Sequence, residues 1–239
     1  MGYNEKKCKK EVCRLKQIAH IETEFPTKFG LPRQSGLVDG LRAAVVFEPE
    51  YRVEEALRGI EEWSHLWLIW EFSDAKRENW SPTVRPPRLG GNTRVGVFAT
   101  RSPYRPNPVG LSCVRLEKVE KTPDRGAVIW VRGADLKDGT PIYDIKPYLP
   151  YADSHPEASG GFAEAALSHR LQVEWDETVP SPFSDERRAA LFEVLSLDPR
   201  PAYQNDPDRV YGFEFAGYTV RFSVDGNVLF VKEIVKTDE

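Results

Sequence analysis

The sequence predicts a mainly β fold, an antiparallel barrel or closed sheet followed by a small helix-plus-sheet unit. Three observations carry that reading. Strand-like apolar runs rich in Val, Ile, Phe and Trp fill the first two thirds of the chain. That part lacks the strand–helix alternation that a doubly wound parallel sheet requires. Near residue 151 the strand pattern stops, and it resumes only after a capped helical segment.

The strand candidates run in order. They are "CRLKQIAHI" (Cys13–Ile21), "RAAVVFE" (Arg42–Glu48), "HLWLIWEF" (His65–Phe72), "RVGVFAT" (Arg94–Thr100), "LSCVRLEKV" (Leu111–Val119) and "AVIWVRG" (Ala127–Gly133). Gly and Pro punctuate between them. "RVEEALRGIEEW" (Arg52–Trp63) is expected to be a helix. "YADSHPEASGGFAEAALSH" (Tyr151–His169) gains Ala, Ser, Gly and Pro and is expected to be a linker, dividing the chain into 1–155 and 156–239. Beyond it, "SDERRAALFEVLSLDPRP" offers Ser184 or Asp185 as an N-cap, helical spacing of Leu191, Val194 and Leu195, and a proline stop. Three short strands follow, with Asp225-Gly226 predicting a hairpin turn.

Composition narrows the function classes. With 239 residues, 40% hydrophobic, and six Trp, the chain can build a core, and global disorder is excluded. Three Cys make no disulfide framework, and the C-x4-C pair Cys8 and Cys13 has no second pair to complete a zinc site. Reduced thiols in a cytoplasmic protein without a metal are expected. The N-terminal segment is charged and lacks the apolar stretch of a secretory signal. "LWLIW" (Leu66–Trp70) is far short of the ~20 residues that span a bilayer, so a soluble protein with no membrane partner is expected.

Net charge is −4, yet it is unevenly distributed. Residues 76–118 hold nine Lys/Arg against two Glu, and seven of the nine are Arg. A planar guanidinium binds phosphate or carboxylate through two parallel hydrogen bonds, so this excess points to an anion or nucleic-acid site. Within it lies "TRSPYRPNPVG" (Thr100–Gly110), where prolines fix φ and remove donors. A stiff loop of this kind loses little entropy when Arg101, Arg105 and Asn107 meet a ligand. The residues alone leave a second reading open, a barrel-end loop whose Arg side chains pair with nearby acids.

"GADLKDGTPIYDIKPYLPYADS" (Gly133–Ser154) places Asp144, Lys146 and Tyr148 at strand spacing after an Asp138-Gly139 turn, and is either a binding hairpin or a solvated one. "LPRQSGLVDG" (Leu31–Gly40) has turn chemistry around Ser35-Gly36, and Gln34 offers donor and acceptor. The nucleotide and hydrolase fingerprints G-x-G-x-x-G, G-x-x-x-x-G-K-[ST], H-E-x-x-H and G-x-S-x-G do not occur. The four His are scattered.

"PRQSGL", "EEWSHLWLIWEF", "RPPRLGG", "RVGVFATRSPYRPNPVGLSCVRLEKVE", "DGTPIYDIKPYLPYADS" and "DPRPAY" together resemble the TsaA-like family, in its bacterial tRNA methyltransferase branch. The resemblance implies a β-barrel methyltransferase that uses S-adenosyl-L-methionine without a Rossmann fold, and a homodimer with the cofactor near the subunit interface. It implies N6-methylation of threonylcarbamoyladenosine at position 37 of tRNA, with a small α+β C-terminal domain that helps to hold tRNA. Carried over by position, it implies cofactor contacts at Gln34, Ser35, Gly36, Ser73, Asp74, Arg101, Cys113, Pro141, Ile142, Tyr143 and Asp144. Asp144 is the expected base. Arg77, Arg85, Arg88 and Arg105 are expected to meet tRNA phosphates or the substrate's threonyl carboxylate, and Asn107 to read an amide or base edge. The alternatives are a barrel methyltransferase with another acceptor, a non-catalytic S-adenosylmethionine- or RNA-binding module, and a barrel that binds no ligand.

Overall fold

The structure, a computed structural model, describes residues 15–75, 79–86, 89, 92–166, 169–200, 204 and 206–237. Cys8, Cys13, Arg77, Arg88 and the last three residues of "DPRPAY" lie outside them. Among the described residues, no helix is long and apolar enough to cross a membrane.

Six strands form the first sheet: β1 (Ala19–Glu22), β2 (Arg42–Phe47), β3 (His65–Glu71), β6 (Val109–Thr122), β7 (Gly126–Arg132) and β8 (Thr140–Pro147). They pair antiparallel in the order β1-β2-β7-β6-β3-β8, and β8 returns to β1 through Ala19↔Ile142, so the sheet closes into a barrel. The alternation read from the sequence produces this. Leu66, Leu68 and Trp70 of β3 point inward, while Trp67 and Ile69 point out. Ala19, Ile21, Val45, Val114, Ile129, Val131 and Ile142 join the inward set in one core. Each fully buried Leu or Ile side chain contributes about 1.5–3 kcal/mol.

One glycine is fixed by packing in this barrel. A Cβ at Gly110 would sit inside the Trp70 indole, so the ring can lie flat on the β6 backbone only there. Between β3 and β6, β4 (Thr83–Val84) pairs with β5 (Val95–Gly96) as a short two-stranded arm. "RVGVFAT" therefore contributes two strand residues and a 3-10 turn (Val97–Ala99), not a barrel strand.

The expected helix over 52–63 is not formed. Two 3-10 turns, Glu54–Leu57 and Ile60–Glu62, stand in its place. Gly59 between them has φ of +84°, a left-handed conformation that ends helical hydrogen bonding. Leu57 and Ile60 still pack on the barrel core, so the apolar spacing is satisfied without the helix.

The expected linker holds a single helical turn, α1 (Pro150–Asp153), and a 3-10 segment. The second unit is α2 (Asp185–Ser196) on a four-stranded sheet. The strands are β9 (Gln172–Trp175), β10 (Tyr211–Phe215), β11 (Tyr218–Asp225) and β12 (Val228–Lys236), in the order β10-β11-β12-β9. Ser184 caps α2 as predicted, its Oγ accepting from Arg187 N–H (3.4 Å), and Gly226 (φ +55°) turns the β11–β12 hairpin. β9 pairs parallel to β12 and had no distinct signal in the sequence.

The segment between β1 and β2 belongs to both units. Phe25, Val38 and Leu41 are buried in the second core with Leu191, Leu195, Phe213, Phe215 and Phe222. A Cβ at Gly30 would overlap the Phe213 ring, which makes this the closest approach of the segment to the second sheet. Ala216 N–H donates to Glu24 O (2.8 Å), and Arg187 pairs with Glu24.

Candidate functional site

The site is assembled where β7 ends and β6 continues beyond it. β7 pairs with β6 only from Arg115↔Arg132 onward, so the backbone of β6 before Arg115 needs another partner. The segment 34–36 supplies it. Cys113 N–H donates to Ser35 Oγ (3.1 Å), and Gly36 N–H donates to Gly133 O (2.8 Å). Gly133 has φ of +75°, and a Cβ there would crowd the Gly36 backbone at 3.3 Å. Gly36 itself (φ +76°) faces open space, since a Cβ on it meets nothing within 4 Å.

Arg101 enters from the proline loop and donates through its guanidinium to Gln34 Oε1. That loop is held at several points. Ser102 N–H donates to Thr100 Oγ1 (3.2 Å), Arg105 N–H to Pro103 O (2.9 Å) and Phe72 N–H to Pro108 O (2.9 Å). The first two are short-range turns of the kind that Ser, Thr and Pro favour, and the third ties the end of the loop to the residue after β3.

Behind Arg101 lies a chain of polar groups that the sequence did not single out. Trp70 Nε1–H donates to Ser112 Oγ (2.9 Å), and Ser112 O–H donates to Asp135 Oδ1 (2.6 Å). Ser112 is fully buried. Asp135 is half-buried at the barrel mouth, where burial pushes its carboxyl above the ordinary value. Ser112, the Ser35 N–H and the Arg101 charge oppose that shift. The carboxylate thus accepts from Ser112 and the Ser35 N–H and feels the Arg101 charge. Its signal in the sequence is an acid within "RGADL", between Ala134 and Leu136, both buried. The Asp138-Gly139 turn close by made the segment look like a solvated hairpin.

The other predicted residues fall into two groups. Asp144, Ile69 and Leu111 form one row across β8, β3 and β6, and Lys146, Trp67 and Cys113 form the next. Asp144 is therefore on the outer face of the barrel with Cys113. Its Oδ2 pairs with Lys146 (2.9 Å), and its Oδ1 accepts from Ile145 N–H (2.9 Å). Burial, with Asp153 nearby, pushes the Cys113 thiol up, which keeps it protonated and unsuited to nucleophilic attack. Tyr143 is pushed up to about 12 by burial and by the Glu71 carboxylate to which it donates. Ile142 points into the barrel core, and its carbonyl accepts from Ile18 N–H (2.9 Å). Pro141 pairs with His20 on β1.

Ser73 and Asp74 lie in a 3-10 turn after β3. A hydrogen bond from Lys137 (2.8 Å) holds the Asp74 carboxyl below the usual range, with Lys28 adding to it at 3.7 Å. Lys137 is two residues from Asp135, so this turn is tied to the same segment. Of the residues expected to meet tRNA, Arg85 and Asn107 are exposed. Arg105 donates to Thr100 O (3.1 Å).

The second unit reaches the site through the core that holds Leu31 and Val38 and through Arg33. Arg33, next to Gln34, donates to the carbonyls of Asp198 (3.2 Å) and Arg200 (3.3 Å). Those carbonyls are fixed because Arg200 grips Asp198 in a two-point ion pair (2.9 Å each) and is nearly buried. Asp198 holds φ of +54° in that turn. The described part of "DPRPAY" is thus a rigid brace behind the 33–36 segment.

Comparison with known proteins gives the family. Residues 20–154 match the tRNA-methyltransferase O N-terminal domain, and residues 168–237 match the TrmO C-terminal domain. The chain is 41% identical over 219 residues to the tRNA (adenine(37)-N6)-methyltransferase of Escherichia coli (strain K12), covering 88% of this chain and 93% of that protein. With the tRNA (adenine(37)-N6)-methyltransferase of Eikenella corrodens it shares 43% over 176 residues, 73% of this chain and 98% of the relative. A crystal structure of TrmO from P. aeruginosa superposes with a TM-score of 0.76 at 33% identity, covering 94% of this chain and 97% of that one. The chain belongs to the tRNA-methyltransferase O family.

Proposed function

We propose that this chain transfers a methyl group from S-adenosylmethionine to N6 of adenosine 37 in tRNA, and that the adenosine carries the threonylcarbamoyl group. Family membership through both halves of the chain supports the reaction. The observation that carries the site is the meeting of Arg101 with the Gln34–Gly36 segment, in front of the Asp135 carboxylate. That donor set suits the cofactor: exposed backbone at Gly36, a guanidinium for its carboxylate, and an anionic group at Asp135 to face a sulfonium. Bound there, the cofactor supplies an electrophilic methyl.

The protein's own residues then align and discharge. Gln34, Ser35, Gly36 and Arg101 orient the donor, and the Cys113 backbone fixes Ser35. Ser73, Asp74 and the Pro141–Asp144 strand wall the same end. An N6 bearing a carbamoyl group must lose its proton, to Asp144, to Asp135 or to bulk water. Burial raises the Asp135 carboxyl above its ordinary value, which strengthens it as a proton acceptor, while Asp144 stands on the outer face of the barrel beside Lys146. Arg77, Arg85, Arg88 and Arg105 hold tRNA phosphates or the threonyl carboxylate, and Asn107 reads an amide or base edge. Residues 1–155 form the catalytic domain and 156–239 the C-terminal domain, and the protein works in the cytoplasm. A homodimer is supported by the outer face of β3 and β6, where Leu111 is exposed beside Ile69 next to Cys113.

The test is methyl transfer from labelled S-adenosylmethionine to two tRNA preparations, one with the threonylcarbamoyl group and one without it. Label on the modified tRNA alone is expected. No label on either, with cofactor binding intact, overturns the assignment. Asp135→Asn and Asp144→Asn then separate the bases, since the true one removes the acidic limb of the pH–rate profile.

A further inference from the structure

Residues 79–108 contain a feature that methyl transfer does not use. Trp80 is 50% exposed and Phe98 is 70% exposed. Single exposed apolar side chains are ordinary on a protein surface. Here two large rings lie together, 6.0 Å between centroids with planes 33° apart, and Arg105 stands 5.9 Å from the centre of Phe98.

The backbone beneath them is fixed. Thr83 and Val84 pair with Gly96 and Val95, and Val97 N–H donates to Pro82 O (2.9 Å). Thr100 returns both its N–H (3.2 Å) and its hydroxyl (2.8 Å) to Val97 O. Rings on such a support lose little freedom when a ligand covers them.

Charge selects the ligand. Residues 79–108 hold five Arg and neither Asp, Glu nor Lys. Arg94 donates to Thr83 Oγ1 (3.2 Å) and Arg105 to Thr100 O (3.1 Å), both neutral acceptors. Among the described residues no carboxylate pairs with Arg85, Arg94 or Arg105. The occupant must therefore be flat, apolar on its faces and polyanionic. Unpaired nucleotides meet all three demands, because every base has a face to stack and every linkage a charge. A paired duplex meets only the last.

We infer that the Trp80–Phe98 face is a base-stacking subsite for unpaired nucleotides flanking the target adenosine, with Arg85, Arg94 and Arg105 on their phosphates. The identity of the RNA rests on the proposed function. The placement rests on chain continuity, since Phe98 lies three residues before Arg101, which reaches Gln34.

The experiment measures binding of the full-length protein to a labelled tRNA anticodon stem-loop and to a blunt RNA duplex of equal length. Trp80→Ala and Phe98→Ala are each expected to weaken the stem-loop by about tenfold, the worth of one stacked base. Duplex binding and the melting shift with S-adenosylmethionine should stay at wild-type values, and Phe98→Trp should restore the stem-loop. Equal loss on both RNAs, or no loss on either, overturns the subsite. So does conversion of a dimer to a monomer by Phe98→Ala in sedimentation, because the face would then join two copies of the chain. If the wild-type protein methylates no tRNA but still prefers the stem-loop through these rings, the subsite stands and the proposed function falls.

Discussion

The arm at 79–108 and the unit beyond residue 170 differ in the partners of their arginines, since three in the second unit meet carboxylates while Arg188 and Arg209 lie over aromatic rings. In the arm, Arg94, Arg101 and Arg105 donate to a hydroxyl, an amide oxygen and a carbonyl. In the second unit, Arg200 grips Asp198, Arg187 pairs with Glu24 and Arg221 pairs with Glu233 (2.9 Å). A guanidinium matched to a neutral acceptor keeps its field, and one matched to a carboxylate largely cancels it. From Ser181 onward the chain holds seven Lys/Arg against eleven Asp/Glu, which adds to the difference. Attraction for a polyanion is thus concentrated in the arm, while the second unit supports the site through contacts of its own.

The largest expected effect tests that support. Asp198→Ala leaves the Arg200 charge buried without its partner, which costs about 3–5 kcal/mol. It also releases the carbonyls that hold Arg33. Thermal unfolding should shift strongly downward, and a stabilised background should still show weaker S-adenosylmethionine binding by calorimetry. Full cofactor affinity in the folded variant would mean that the brace does not reach the site.

Arg101→Ala comes next, with kcat/KM expected to fall about 100-fold. Arg101→Lys should not rescue it, because an ammonium lacks the planar fork. Arg188→Ala is the control from the other region. Its guanidinium lies 4.9 Å from the Trp175 ring centre, and its loss should leave methylation unchanged. Equal losses at both positions would erase the contrast.

Asp135→Asn tests the site against the fold. Burial holds the Asp135 carboxyl above its ordinary value, so the folded state binds that proton more tightly than the unfolded one. Its stabilising contribution is complete in acid, below the unfolded value, and is lost as pH rises through the raised value. The Asn variant should therefore gain melting temperature relative to wild type as pH rises through that range and lose the gain in acid, while activity falls. Parallel stability curves at all pH values would assign Asp135 no linkage.

The smallest effect is on salt dependence. Arg85→Ala and Arg94→Ala should each lower the slope of log affinity for tRNA against log salt by about one. Arg209→Ala, whose guanidinium lies 5.3 Å from the Tyr211 ring centre, should leave the slope unchanged. Equal slopes for all three would spread the RNA surface over both regions.

Much of the fold follows from period-two patterning, because a strand buried on one face must alternate. His65–Glu71 did so, and became a barrel strand with three inward residues. The segment 52–63 misled because its apolar spacing suits a helix, while Gly59 adopts a left-handed conformation that only its packed surroundings select. The predicted positions at Gln34–Gly36 and Arg101 are brought together. Asp135 was missed because nothing local distinguishes a carboxylate facing a barrel mouth from one in a solvated turn.

The sequence by itself determined the closed antiparallel sheet, the capped helix after Ser184, and the segregation of arginine into an acid-free stretch. These depend on periodicity, capping and composition, which are local. Tertiary structure decided that Ser35 takes the place β7 leaves open beside Cys113 and that Trp70, Ser112 and Asp135 form one chain. It also decided that Asp198 and Arg200 brace Arg33 from 165 and 167 residues away. Those contacts join segments remote in sequence, and only closure of the barrel and docking of the second unit bring them within hydrogen-bond reach.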